Sequence, residues 1–191
     1  MSVRLNSQDA LIVIDVQNDF CPGGRLAVQD GDKIIPVLNR WIEHALEGGA
    51  VVVAMRDWHP PHHISFKERG GLWPEHCVQG SPGAEFHPDL KLPEGAVIVS
   101  KGASLNSDSY SAFDNTGLSE RLRRAGVRRV WIGGLAQDVC VRASVLDALA
   151  EGFETYLIEN ATRPINVKPD DGERAIEDML KAGGRLVRED L

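Results

Sequence analysis

Cys140 lies in GGLAQDVCVRASVLDALAEG, where the β-branched run VRRVWIGG gives way to an amphipathic helical pattern. A thiol at such a junction sits near the positive end of a helix dipole, which favours the nucleophilic thiolate. The backbone N–H groups of the same turn, at Ala136 and Cys140, are placed to receive a carbonyl oxygen as it becomes anionic. Asp15 closes DALIVIDV, where poor solvation raises a carboxyl's proton affinity and suits it to acid–base work. Lys101 closes AVIVSKG, and an ammonium there could stabilise a thiolate or an oxyanion. Each residue alone has a plainer reading: an inert buried thiol, a helix-capping Asp, a surface Lys. Their weight comes from convergence.

A second group has a different chemistry. In MRDWHPPHHISF, Asp57 and His59 are two residues apart in extended chain and so point the same way. A carboxylate with imidazoles is a ligand set for Zn, Fe or Mn, and three protein ligands with positions left over describe a catalytic metal site. His76, in LWPEHCVQG, is the best third ligand, because a long loop can return it to the site. His62, His63 and His87 are weaker candidates, and Cys77 could compete as a soft ligand. Phe20, Trp73 and Tyr110 lie in loops and could wall a pocket for a flat ring, with core filling as the alternative.

The elements that must position these residues read as strands over 9–16, 50–56, 96–100, 127–134, 154–159 and 185–188. Their near-continuous apolar character is that of parallel strands covered on both faces. Helical spacing occupies 32–46, 116–125, 138–151 and 171–182. The alternation predicts an α/β fold: a doubly wound, mostly parallel six-stranded sheet with helices on both faces. Ligands of such sheets bind beyond the carboxyl ends of the strands. The stretch 57–94, rich in His, Pro, Gly and Trp, breaks the rhythm and reads as a functional loop insertion.

With 191 residues, 42% of them hydrophobic, the chain is expected to form one globular domain over 1–191. A net charge of −7 argues against nucleic acid and against an anionic membrane as partners. The apolar runs are too short to cross a bilayer, and MSVRLNSQ carries no leader core, so a cytoplasmic protein is expected. Three cysteines without a CxxC pair make a disulfide framework improbable. A homo-oligomer remains open.

Five segments in collinear order, IDVQNDFCPGGRLAV, RDWHPPHHISF, GLWPEHCVQGSPGAEFHPDL, SKGASLNSDSYSAF and GLAQDVCVRASVLDALAEGF, closely resemble the nicotinamidase branch of the isochorismatase-like cysteine hydrolases. The resemblance implies a catalytic triad of Asp15, Lys101 and Cys140 and an oxyanion hole at Ala136 and Cys140. It implies a divalent metal, zinc before iron or manganese, on Asp57, His59 and His76. His63 occupies a position that binds metal in some members only. Phe20, Leu26, Trp73 and Tyr110 fall where the family lines its pyridine pocket, and the peptide before Ala136 is typically cis. The implied reaction is hydrolysis of nicotinamide, with pyrazinamide as a further substrate, through a cysteine thioester in NAD salvage. Gln137, where Thr is usual, and Val139, where Tyr or His often stands, depart from the pattern and bear on substrate preference. The rivals are an amidase for carbamoyl or ureido substrates with the same triad but no metal set, and a non-catalytic metal-binding or thiol redox-sensing protein.

Overall fold

The structure is a computed structural model describing residues 4–188. The first three residues of the segment read for a leader, and the last three of the expected domain, lie outside the described residues. Six strands, β1 (Asp9–Ile14), β2 (Val51–Asp57), β3 (Val97–Lys101), β4 (Arg129–Leu135), β5 (Glu154–Arg163) and β6 (Arg185–Val187), form one sheet in the order β3-β2-β1-β4-β5-β6. Every pairing is parallel. The order reverses between β1 and β4, and such a switch point opens a crevice at the carboxyl ends of the strands.

Among the described residues, four α-helices cover the sheet: α1 (Ile35–Gly48), α2 (Leu118–Arg124), α3 (Arg142–Ala150) and α4 (Asp171–Lys181). Alternation along β1 divides the core. Leu11 and Val13 pack with Leu38, Trp41 and Ile42 of α1, whereas Ala10, Ile12 and Ile14 pack with Leu122 of α2, Val145 of α3 and Met179 of α4. Each fully buried aliphatic side chain contributes about 1.5–3 kcal/mol. Part of the long loop, including Cys77, Ala84 and Leu90, completes the α1 layer.

The elements differ from the sequence reading where side chains have special tasks. β1 stops at Ile14 because Asp15 takes a left-handed backbone, φ 50°. The helix expected from residue 32 starts at Ile35, after a single 3₁₀ turn over Gly31–Ile34. The helix expected from 138 opens as a π-helical turn, Gln137–Val141, before α3. β5 continues to Arg163, beyond the expected 159, because a bulge against Ile132–Gly134 lets pairing resume at Thr162. The stretch after β2 holds only two 3₁₀ turns, Lys67–Arg69 and Pro82–Ala84, before β3. Among the described residues, no helix is long and apolar enough to cross a membrane.

Candidate active site

Parallel register sets the first contact. Asp57 and Lys101 are direct partners on β2 and β3, so a carboxylate and an ammonium stand side by side at the strand ends, and they form a close ion pair. Strict alternation from Leu11 and Val13 would send Asp15 toward the α1 face. The left-handed turn at Asp15 instead brings its carboxylate to 3.1 Å from Lys101 Nζ. The turn after β4 supplies the third member, with Cys140 Sγ 3.4 Å from Lys101 Nζ. All three side chains are buried. The Leu135–Ala136 peptide is cis.

Electrostatics separates the two carboxylates. Burial pushes Asp15 up to about 7 against the pull of Lys101, and Asp57 adds to the rise. At Asp57 burial also pushes upward, but Lys101 and the adjacent imidazoles of His59 and His76 outweigh it and hold the carboxyl well below the usual range. Burial opposes the charge on Lys101, yet the two carboxylates keep it firmly protonated. The expectation of a dipole-stabilised thiolate is corrected. Burial, reinforced by Asp15 and Asp57, drives the Cys140 thiol well above its ordinary range despite Lys101. Its position in a π-helical turn, and not in the first turn of an α-helix, is consistent with that result. The resting sulfur is therefore a thiol, in a site whose buried Asp15 carboxylate has a raised proton affinity.

Asp57, His59 and His76 bring one donor atom each within 4.8 Å of one another. His59 and His76 direct Nε2 to within 3.4 and 3.5 Å of Asp57 Oδ2. Their Nδ1 atoms lie 2.9 Å from the Gly102 carbonyl and 2.7 Å from the Pro74 carbonyl, so Nδ1–H donates and the Nε2 lone pair is left for a ligand. A Cβ at Gly102 would meet the His59 ring at 2.4 Å, and with φ 64° this position requires glycine. This donor set fits a divalent metal that accepts nitrogen and oxygen ligands. Gln17 fixes the Asp57 backbone from both sides, accepting from its N–H and donating to its carbonyl at 2.8 Å each.

The other candidates are arranged differently. His63 stacks on His59 at 4.2 Å but stands outside the cluster; Nδ1 contacts the Ser65 hydroxyl at 2.7 Å and Nε2 the Ser107 carbonyl at 3.0 Å. Burial and the neighbouring His59 lower its proton affinity. Cys77 turns its buried thiol toward Gly83, while its backbone accepts from His59 N–H at 3.0 Å. His62 pairs with Glu68, and His87 lies beside Asp89.

A cavity with about 390 Å³ of empty space, its mouth included, joins the two groups. Phe20, Leu26, Trp73 and Tyr110 line it together with Asp57, His59, His76, Ala136 and Cys140. Trp73 Nε1 donates to Tyr110 Oη at 3.1 Å, bracing that wall. Ile165 and Ser109 also line the cavity, and Phe66 packs edge-on against His59, His63 and His76. Sequence reasoning missed these three, as it missed Gln17. Ile165 is delivered by the extension of β5 past its bulge, which no apolar run announces.

The family pattern described as the Isochorismatase domain matches residues 9–190. The nicotinamidase of Escherichia coli is 40% identical over 198 residues, covering 93% of each chain. The crystal structure of the pyrazinamidase of Pyrococcus horikoshii in complex with zinc superposes with a TM-score of 0.91 at 53% identity, over 95% of this chain and 99% of that one. The yeast nicotinamidase bound to the inhibitor nicotinaldehyde gives a TM-score of 0.87 at 27% identity, over 95% and 100% of the two chains. Since the match takes in all six strands and every side chain of the two groups, this chain belongs to the isochorismatase family.

Proposed function

We propose that this protein hydrolyses nicotinamide to nicotinate and ammonia, with pyrazinamide as a second substrate, by way of a thioester on Cys140. The observation that carries the reading is that Cys140, backed by Lys101 and through it Asp15, faces the same pocket as the Asp57, His59 and His76 donors. Nicotinamidases and a zinc-bound pyrazinamidase among its relatives support it.

Asp15 takes the thiol proton as the sulfur attacks the carboxamide carbon. A base near 7 suits that transfer at neutral pH, because half of it is ionised there. Lys101 Nζ, 3.4 Å from the sulfur, stabilises the thiolate as it forms. The N–H groups of Ala136 and Cys140 receive the oxyanion, and Asp15 returns the proton to departing ammonia. Water activated by Asp15 then opens the thioester and releases nicotinate. Phe20, Leu26, Trp73 and Tyr110 hold the ring flat, which converts attack into an effectively unimolecular step. When bound to Asp57, His59 and His76, a divalent metal, zinc before iron or manganese, supplies a Lewis acid for the ring nitrogen. The reading sets the chain, as one catalytic domain with a site-forming loop at 57–94, in cytoplasmic NAD salvage.

The test is ammonia release from a panel of aromatic and aliphatic amides, before and after chelation. Nicotinamide and pyrazinamide are expected to lead, with activity lost on chelation and restored by zinc. A preference for carbamoyl or ureido substrates that is indifferent to chelation would overturn the reading.

A further inference from the structure

Asp19 is a buried carboxylate that takes no part in the reaction above, and its oxygens are divided between two walls of the pocket. Oδ2 accepts from the backbone N–H of Cys77 at 2.7 Å, one residue past the ligand His76. Oδ1 accepts from the backbone N–H of Arg25 at 3.2 Å, one residue before the wall residue Leu26. Its own carbonyl accepts from Leu26 N–H at 2.9 Å. The next residue, Phe20, packs edge-on against His76 with ring centroids 5.5 Å apart. The 3₁₀ turn Pro82–Ala84 closes over the carboxylate so tightly that a Cβ at Gly83 would lie 2.2 Å from Oδ2.

We propose that Asp19 is a positioning residue that couples the metal-ligand segment around His76 to the substrate wall at Phe20 and Leu26. This rests on the metal reading above. His76 comes from an irregular segment, so the place of its Nε2 depends on what holds the backbone at 74–77. Three such holds are visible: the Pro74 carbonyl on Nδ1, the His59 N–H on the Cys77 carbonyl and, alone in reaching across to the substrate wall, the Asp19 carboxylate on the Cys77 N–H. A carboxylate can accept from both backbone donors. The amide of Asn has a single acceptor oxygen and would turn its NH₂ toward the other N–H. Asp15, Lys101 and Cys140 are carried by strand ends and the turn after β4, and none of them hydrogen-bonds to Asp19.

The experiment measures zinc affinity by chelator competition in wild type, Asp19→Asn and Gly83→Ala, with kcat and KM for nicotinamide at saturating zinc. Gly83→Ala crowds the carboxylate without altering its charge or any ligand, and it stands in should Asp19→Asn fail to fold. Zinc affinity is expected to fall about 10- to 100-fold in both variants, as for loss of an outer-shell partner. KM should rise while kcat at saturating zinc is kept. Unchanged zinc affinity in the variants overturns the inference, as does a fall in kcat at saturating zinc as large as the affinity loss. Wild type that binds no zinc overturns the metal reading itself and this inference with it.

Discussion

Asp15 and Lys101 stand at the ends of β1 and β3, and Cys140 in the turn after β4, whereas His76 rides on an irregular stretch that must fold back across the end of β2. The first group is positioned by sheet register: Lys101 faces Asp57 because β3 pairs with β2 in one register and no other. The second depends on individual hydrogen bonds, from Pro74, Asp19 and Gln17. A proton-transfer and nucleophilic apparatus built on the sheet inherits the sheet's rigidity. A ligand set shared between a strand end and a loop can be loosened without touching that apparatus.

Replacement of Cys140 separates the two most sharply. Cys140→Ala is expected to lower kcat by at least ~10³-fold while zinc content, measured by metal analysis, stays at the wild-type level. Residual amidase activity near wild type, or loss of zinc, would show that the groups are not separable. His59→Ala and His76→Ala should each weaken zinc binding by more than about 100-fold, since a ligand outweighs an outer-shell partner. Chelator competition on the pair compares a ligand two residues past a strand end with one from the middle of the loop. Zinc affinity kept at the wild-type level in both would remove the metal assignment.

With zinc kept saturating, the acid limb of the pH profile probes the sheet-borne group. Asp15 must be ionised to take the thiol proton, and burial places its ionisation at about 7. Consequently kcat/KM should fall as pH drops below about 7, tenfold per unit well below it, and level off above. A profile flat from 5 to 8 would contradict the role given to Asp15. The smallest effect is expected at the wall. Tyr110→Phe removes the acceptor for Trp73 Nε1 and should raise KM several-fold, near 1 kcal/mol, with kcat kept. A drop in kcat without a change in KM would give Tyr110 a different part.

The same contrast explains what the sequence disclosed. LIVI before Asp15, AVIVS before Lys101 and VWIGG ahead of Cys140 are apolar runs whose ends must meet at one edge of a parallel sheet, so the triad positions could be read from pattern. Asp57 and His59 shared that legibility through their spacing. The fold-back of His76, the link through Asp19 and the clamp by Gln17 follow no period, because irregular loops are fixed by single hydrogen bonds between distant residues. His63 shows the limit of composition: a buried histidine stacked on a ligand, with both nitrogens engaged elsewhere. At Cys140 the helix dipole, which the sequence announces, is outweighed by burial and by two nearby carboxylates, which only the fold brings together.

The most direct measurement is intact-protein mass spectrometry after rapid acid quench of the zinc-loaded enzyme turning over nicotinamide. A nicotinoyl adduct mapped to Cys140, absent in Cys140→Ala, is the predicted result. Steady release of ammonia from nicotinamide by Cys140→Ala, or an acyl group trapped on any other residue, would contradict the account.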